Sequence, residues 1–126
     1  MDEALVIIDV QKAMFTMEPP VHNGKNLLQN ISRLIEFADM EGLKIIFVQH
    51  NGPENSSLEK NTPGWQIHET ITPRPQDIVI EKNTPDSFYD TSLQSQYREH
   101  DIHKLYITGI QTEAFAEMKT VEEIIR

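Results

Sequence analysis

The 126-residue sequence contains no cysteine, which excludes disulfides, thiolate metal sites and a cysteine nucleophile among these residues. It also lacks a basic block: 11 Lys and Arg stand against 20 Asp and Glu, a net charge of −9, with the acid spread along the chain. A surface of that sign is repelled by phosphate backbones and anionic headgroups, so neither nucleic acid nor a membrane is expected as a partner. No apolar run approaches the roughly 18–20 residues that cross a bilayer. The first residues enter an apolar stretch without a basic leader, so a cytoplasmic protein is expected. Metal-ligand spacing is sparse as well. His50 has no His-x-His or Asp-x-His pair following it, and His22 and His68 lie on polar stretches. A metal needs about three protein ligands, so neither a metal nor a cofactor is expected.

What is present begins with Ala4-Leu-Val-Ile-Ile-Asp-Val-Gln11, an unbroken apolar run that closes on one carboxylate. A strand without polar alternation belongs in a parallel sheet covered on both faces. Asp9 therefore sits at the carboxyl end of a buried strand, where open α/β sheets bind their ligands. A chain of this length forms one domain, expected over residues 1–126, that buries roughly two thirds of its unfolded surface.

The rest of the chain repeats the unit. Residues 12–20 read as a loop, because the pair Pro19-Pro20 holds the backbone extended; Phe15 is placed to line a pocket there. Leu27, Leu28, Ile31, Leu34, Ile35 and Ala38 recur at helical spacing, so residues 26–40 form an amphipathic helix that Gly42 ends. Residues 43–49 form a second buried strand, parallel to the first, which brings His50 beside Asp9. Residues 51–74 are one long irregular stretch holding the single tryptophan, Trp65; a loop of that length is expected to lie over the carboxyl edge of the sheet. Residues 77–82 form a third strand ending on Lys82, which points into the same crevice. A helix over residues 87–100, a fourth strand over 103–109 and a helix from residue 111 complete the pattern. The last of these presents unpaired N–H groups to the crevice. The expected architecture is an α/β Rossmann-like three-layer sandwich with a four-stranded parallel sheet in the order 3-2-1-4.

A carboxylate ending the first strand, a lysine ending the third and a helix start after the fourth together resemble the isochorismatase-like family, also called the cysteine hydrolases. The matching stretches are Ala4 to Gln11, Gly64-Trp-Gln-Ile-His68, Asp77-Ile-Val-Ile-Glu-Lys82, Ser87-Phe88 with Thr91 and Leu93, and Ile107-Thr-Gly-Ile-Gln-Thr-Glu113. The resemblance implies a catalytic Asp at Asp9, a catalytic Lys at Lys82, and a nucleophile position at Phe115, which is not itself reactive. It further implies a non-proline cis peptide around Ile110 and Gln111, and backbone N–H groups that hold an oxyanion. Gln11, Phe15, His50, Trp65 and Ala114 are placed as substrate-binding residues.

Two departures shape the functional expectation. Phenylalanine cannot attack a carbonyl, so thiol-dependent amide hydrolysis is not expected. The family's last two strands are also absent from these residues, which leaves the fourth strand as an apolar edge that association would cover; a homo-oligomer is expected. Three readings stand: a protein acting on, or descended from enzymes acting on, small amides or related C–N or ether substrates; a cysteine-independent hydrolase using Asp9 and Lys82; and a non-catalytic binding or oligomerisation module. For the second, burial would raise the Asp9 pKa and Lys82 would lower it, so the two effects compete.

Overall fold

A computed structural model describes residues 2–83, 98–99 and 102–110. Strand β1 (Asp2–Ile8) leads through a single turn of helix, α1 (Ala13–Thr16), into the long helix α2 (Gly24–Glu41) and strand β2 (Lys44–His50). An irregular segment with two 3-10 turns, Pro63–Trp65 and Glu69–Ile71, then reaches strand β3 (Ile78–Lys82), and strand β4 (Ile102–Gly109) follows. The four strands pair in the order β3-β2-β1-β4, every pair parallel. The chain is thus an α/β Rossmann-like sandwich, with the strand order expected from the sequence.

The apolar run of β1 is unbroken because both of its faces are covered. Ala4, Val6 and Ile8 lie in one apolar cluster with Ile46, Val48, Ile80, Leu105 and Ile107. Leu5 and Ile7 lie in another with Ile45, Phe47 and Ile71, covered by Leu27, Ile31 and Ala38 of α2. Burying each of the larger side chains contributes about 1.5–3 kcal/mol, which makes this central strand the anchor of the sheet. β3 behaves differently. It alternates, with Ile80 and Lys82 buried while Val79 and Glu81 face outward. The period of two therefore carries Lys82 into the buried row rather than into solvent.

Two expected boundaries shift, each for a local reason. α2 begins at Gly24 rather than at residue 26; its first turn carries no apolar residue, so the helical period becomes visible only at Leu27. The stretch read as a loop after Asp9 contains α1, closed by Met17 N–H on the Ala13 carbonyl. One turn is too short to show a period, and the prolines act only beyond it. Gly42 ends α2 as expected, in the left-handed conformation at φ 72°, and Leu43 N–H bonds back to the Ala38 carbonyl at 2.8 Å.

Arg74 closes the irregular segment. Its guanidinium grips Asp39 of α2 in a two-pronged pair at 2.9 Å each and also bonds Asp77, just before β3. Arg98 and Glu99 are helical; the rest of the helix expected over residues 87–100, and all of the one expected from residue 111, lie outside the described residues. Among the described residues no helix is long and apolar enough to cross a membrane.

Candidate active site

Parallel pairing brings the carboxyl ends of all four strands to one edge. Ile8 stands beside Val48 on one side and Gly109 on the other, and His50 stands beside Lys82. Asp9 follows Ile8 at φ 63°, a left-handed conformation that Asp tolerates better than most non-glycine residues. Strand alternation alone would put Asp9 on the face of Leu5 and Ile7. The turn instead brings its carboxylate to Lys82, which shares the face of Ile80.

Only a long side chain makes that contact. β3 is two strands from β1, about 10 Å at ordinary strand spacing, with β2 between them. The lysine stem spans this distance while buried, at 1% exposure. Its Nζ lies 3.3 Å from Asp9 Oδ2 in a hydrogen bond and 3.2 Å from Oδ1. The second approach is an ion-pair contact rather than a hydrogen bond, and Oδ1 is buried with no hydrogen-bond partner among the described residues.

Burial pushes the Asp9 carboxyl above the ordinary aspartate range. The ammonium of Lys82 pulls the other way, through its charge and its hydrogen bond, as does the nearby His50, and burial prevails. The competition left open by the sequence is thereby decided in favour of a carboxyl that holds its proton more tightly than usual. The linkage has a definite sign. A carboxyl raised in the folded state contributes stability that is fully present below its unfolded pKa and is lost as pH rises through the folded value. Asp9→Asn keeps the shape and tolerates the left-handed backbone, but removes the titration. Urea unfolding across pH 3 to 8 is expected to show the parent losing stability relative to Asp9→Asn as pH rises; a difference that stays flat would refute the raised value.

His50 ends β2 between the two charged residues in strand order, and its Nδ1 is buried without a hydrogen-bond partner among the described residues. Its main chain is clamped by Gln11. The Gln11 amide donates to the His50 carbonyl at 3.0 Å and to the Trp65 carbonyl at 2.7 Å, and its oxygen accepts from His50 N–H at 2.9 Å. Gln11 has no exposed surface. Expected to contact substrate, it has both ends of its amide engaged with main chain and serves to frame the crevice.

The irregular segment lies over this edge, as its length suggested. Gln49 also donates to the Trp65 carbonyl. Lys12 N–H bonds the Gln66 carbonyl, His68 N–H bonds the Val10 carbonyl, and Gln11 pairs with Ile67 in an antiparallel bridge. Trp65 is half-buried, its indole N–H donating to Asn51 Oδ1 at 2.7 Å. Phe15 meets the ring of His68 edge-on, with centroids 4.7 Å apart, and backs onto the apolar cluster under α2. Ala114, Phe115 and the peptide between Ile110 and Gln111 lie outside the described residues. Sequence reasoning passed over Asn51 and Gln49. The only signal for Gln49 was a polar residue closing an apolar strand.

A parallel sheet with the buried Asp9–Lys82 pair at its carboxyl edge places the chain among the open α/β proteins, which as a class bind ligands at that edge. The chain belongs to the isochorismatase family, whose Isochorismatase domain matches residues 3–117. It is 31% identical over 111 residues to the uncharacterized isochorismatase family protein YrdC of Bacillus subtilis, covering 87% of this chain and 59% of that protein. It is 25% identical over 153 aligned positions to the ureidoacrylate amidohydrolase RutB of Variovorax paradoxus, covering 92% of this chain and 60% of the relative. The crystal structure of an isochorismatase from Pseudomonas putida superposes with a TM-score of 0.80 at 30% identity, over 86% of this chain and 56% of the other. The chain thus spans less than two thirds of the length of each.

Proposed function

We propose that this chain is a hydrolase-family protein whose surviving machinery is the Asp9–Lys82 pair, acting on, or descended from enzymes acting on, small amides or related C–N or ether substrates. Thiol-dependent hydrolysis is not part of this reading, because no cysteine occurs in the 126 residues and the family resemblance sets the nucleophile position at Phe115. The observation that supports the reading is Lys82 at 1% exposure within 3.3 Å of the Asp9 carboxylate, since a buried ion pair is costly and seldom arises from packing alone. The relative RutB of Variovorax paradoxus is a ureidoacrylate amidohydrolase, which sets amides as the first substrates to try. His50, Trp65 and Phe15 are the side chains proposed to meet the substrate. No cofactor is invoked.

A second reading is favoured by the burial of the Asp9 carboxyl beside Lys82, which raises its pKa above the ordinary aspartate range. A carboxyl raised in this way can serve as a general acid without a thiol, with the Lys82 ammonium steadying the carboxylate left behind.

Both readings are separated by Phe115→Cys, assayed beside the parent and Asp9→Asn against a panel of small amides, ureido compounds and isochorismate. Turnover that appears only in Phe115→Cys identifies a disarmed amidase. Turnover by the parent that Asp9→Asn abolishes identifies the thiol-free acid mechanism. Absence of turnover in every variant would overturn both and leave a binding or oligomerisation role, for which light scattering gives the oligomeric state.

A further inference from the structure

Asn51 follows His50 directly, and four hydrogen bonds meet on it. Its backbone N–H donates to the carbonyl of Lys82 at 2.8 Å. Its side-chain Nδ2 donates to Glu81 Oε1 at 3.1 Å and to Asn83 Oδ1 at 3.2 Å, the residues on either side of Lys82. Its Oδ1 accepts from the indole N–H of Trp65 at 2.7 Å. The chemistry of the partners orients the amide. An indole N–H only donates and a carboxylate only accepts, so the oxygen must face Trp65 and the nitrogen must face Glu81. Aspartate in this place would set two carboxylates against each other, and leucine would satisfy neither partner.

Lys82 must reach across β2 to Asp9, so a small rotation of the end of β3 is multiplied along its stem. The loop holding Trp65 is fastened over the same edge by Gln11 and Gln49. Asn51 joins these two parts through Trp65 on one side and Glu81 and Asn83 on the other, beside the Lys60–Glu81 ion pair at 2.8 Å. We infer that Asn51 is a positioning residue: it sets the end of β3 so that Lys82 meets Asp9, and it ties that setting to Trp65 in the overlying loop. The inference rests on the reading of Asp9 and Lys82 as the working pair, and it adds a residue that the family resemblance did not single out.

A merely structural role would lower stability without touching the ionisation of Asp9. Positioning is therefore read from the carboxyl carbon of Asp9, titrated by NMR in the full chain, in the parent, Lys82→Met and Asn51→Ala. Lys82 draws the Asp9 titration downward, so its loss moves the midpoint up. Asn51→Ala is expected to move it up by a measurable part of the same displacement. Trp65 is the single tryptophan, so its fluorescence reports the other half. Acrylamide quenching is expected to rise in Asn51→Ala and to stay at the parent level in Asn51→Asp, which keeps an acceptor for the indole. Should Asn51→Ala fail to fold, Asn83→Ala removes one acceptor of the same brace at an outward-facing position and changes no charge. A rise of the Asp9 midpoint there supports positioning, and an unmoved midpoint overturns it. A midpoint that moves in Lys82→Met but not in Asn51→Ala overturns the role of Asn51 alone. A midpoint unmoved in Lys82→Met overturns the working pair, and the inference falls with it.

Discussion

Lys82→Met is expected to destabilise the protein by about 3–5 kcal/mol at neutral pH, because removing one member of a buried pair leaves the other charge uncompensated. Methionine nearly fills the volume of the lysine stem, so most of the loss is electrostatic rather than a cavity effect. Asp9 would then shed its charge by binding a proton, and the defect is expected to shrink as pH falls. That is opposite to the behaviour of Asp39, which Arg74 holds below the ordinary aspartate range. The stability Asp39 contributes is present above that range and is lost as pH falls through its folded value. The double variant Asp9→Asn with Lys82→Met removes both charges, and it should recover much of the loss. Urea unfolding of the four proteins at pH 5 and pH 8 closes the cycle. A double variant no more stable than Lys82→Met would show that the lysine acts through packing and that the pair carries no coupling.

Gly109→Ala is the second large effect. Gly109 ends β4 at φ 126°, a region that side chains rarely adopt. A Cβ at this position would run into the carbonyl oxygen of Ile8. That oxygen accepts from Ile110 N–H at 2.8 Å, so it cannot retreat without breaking the contact that seats the turn beside Asp9. The expected cost is about 3–5 kcal/mol, backbone strain and overlap together, a large share of the roughly 5–15 kcal/mol that holds a domain. Gly42→Ala separates the two causes. Its φ of 72° is also left-handed, but nothing lies within 4 Å of the added carbon, so strain alone should cost about 1–2 kcal/mol. Equal losses in the two variants would remove the collision from the account.

Much of the architecture was legible before any coordinate. The run from Ala4 to Ile8 is apolar at every position, and only a doubly covered parallel strand accepts that pattern. The spacing from Leu27 to Ala38 marked α2 between two strands, and the right-handed crossover made those strands parallel, whereas the order 3-2-1-4 came with the family resemblance. Asp9 and Lys82 were legible as strand-end residues by the same logic.

Other features depend on contacts between distant parts of the chain. That Gln11 frames the crevice depends on the main chain of His50 and Trp65, 39 and 54 residues away. Asn51 reads in the sequence as one polar loop residue among many; its value lies in Trp65, Glu81 and Asn83 converging on it. The left-handed turn at Asp9 and the sense of its pKa shift are likewise tertiary, because the apolar surroundings that raise it come from other strands.

By itself, then, the sequence determined the strands and their parallel sense, the long helix and the two ionisable residues at the strand ends, since hydrophobic period is a local property that backbone geometry converts directly into faces and edges. Only the tertiary structure decided that Lys82 crosses β2 to reach Asp9, that burial outweighs its charge, and which amides frame the crevice, because distance, dielectric and hydrogen-bond direction exist only once separate segments meet.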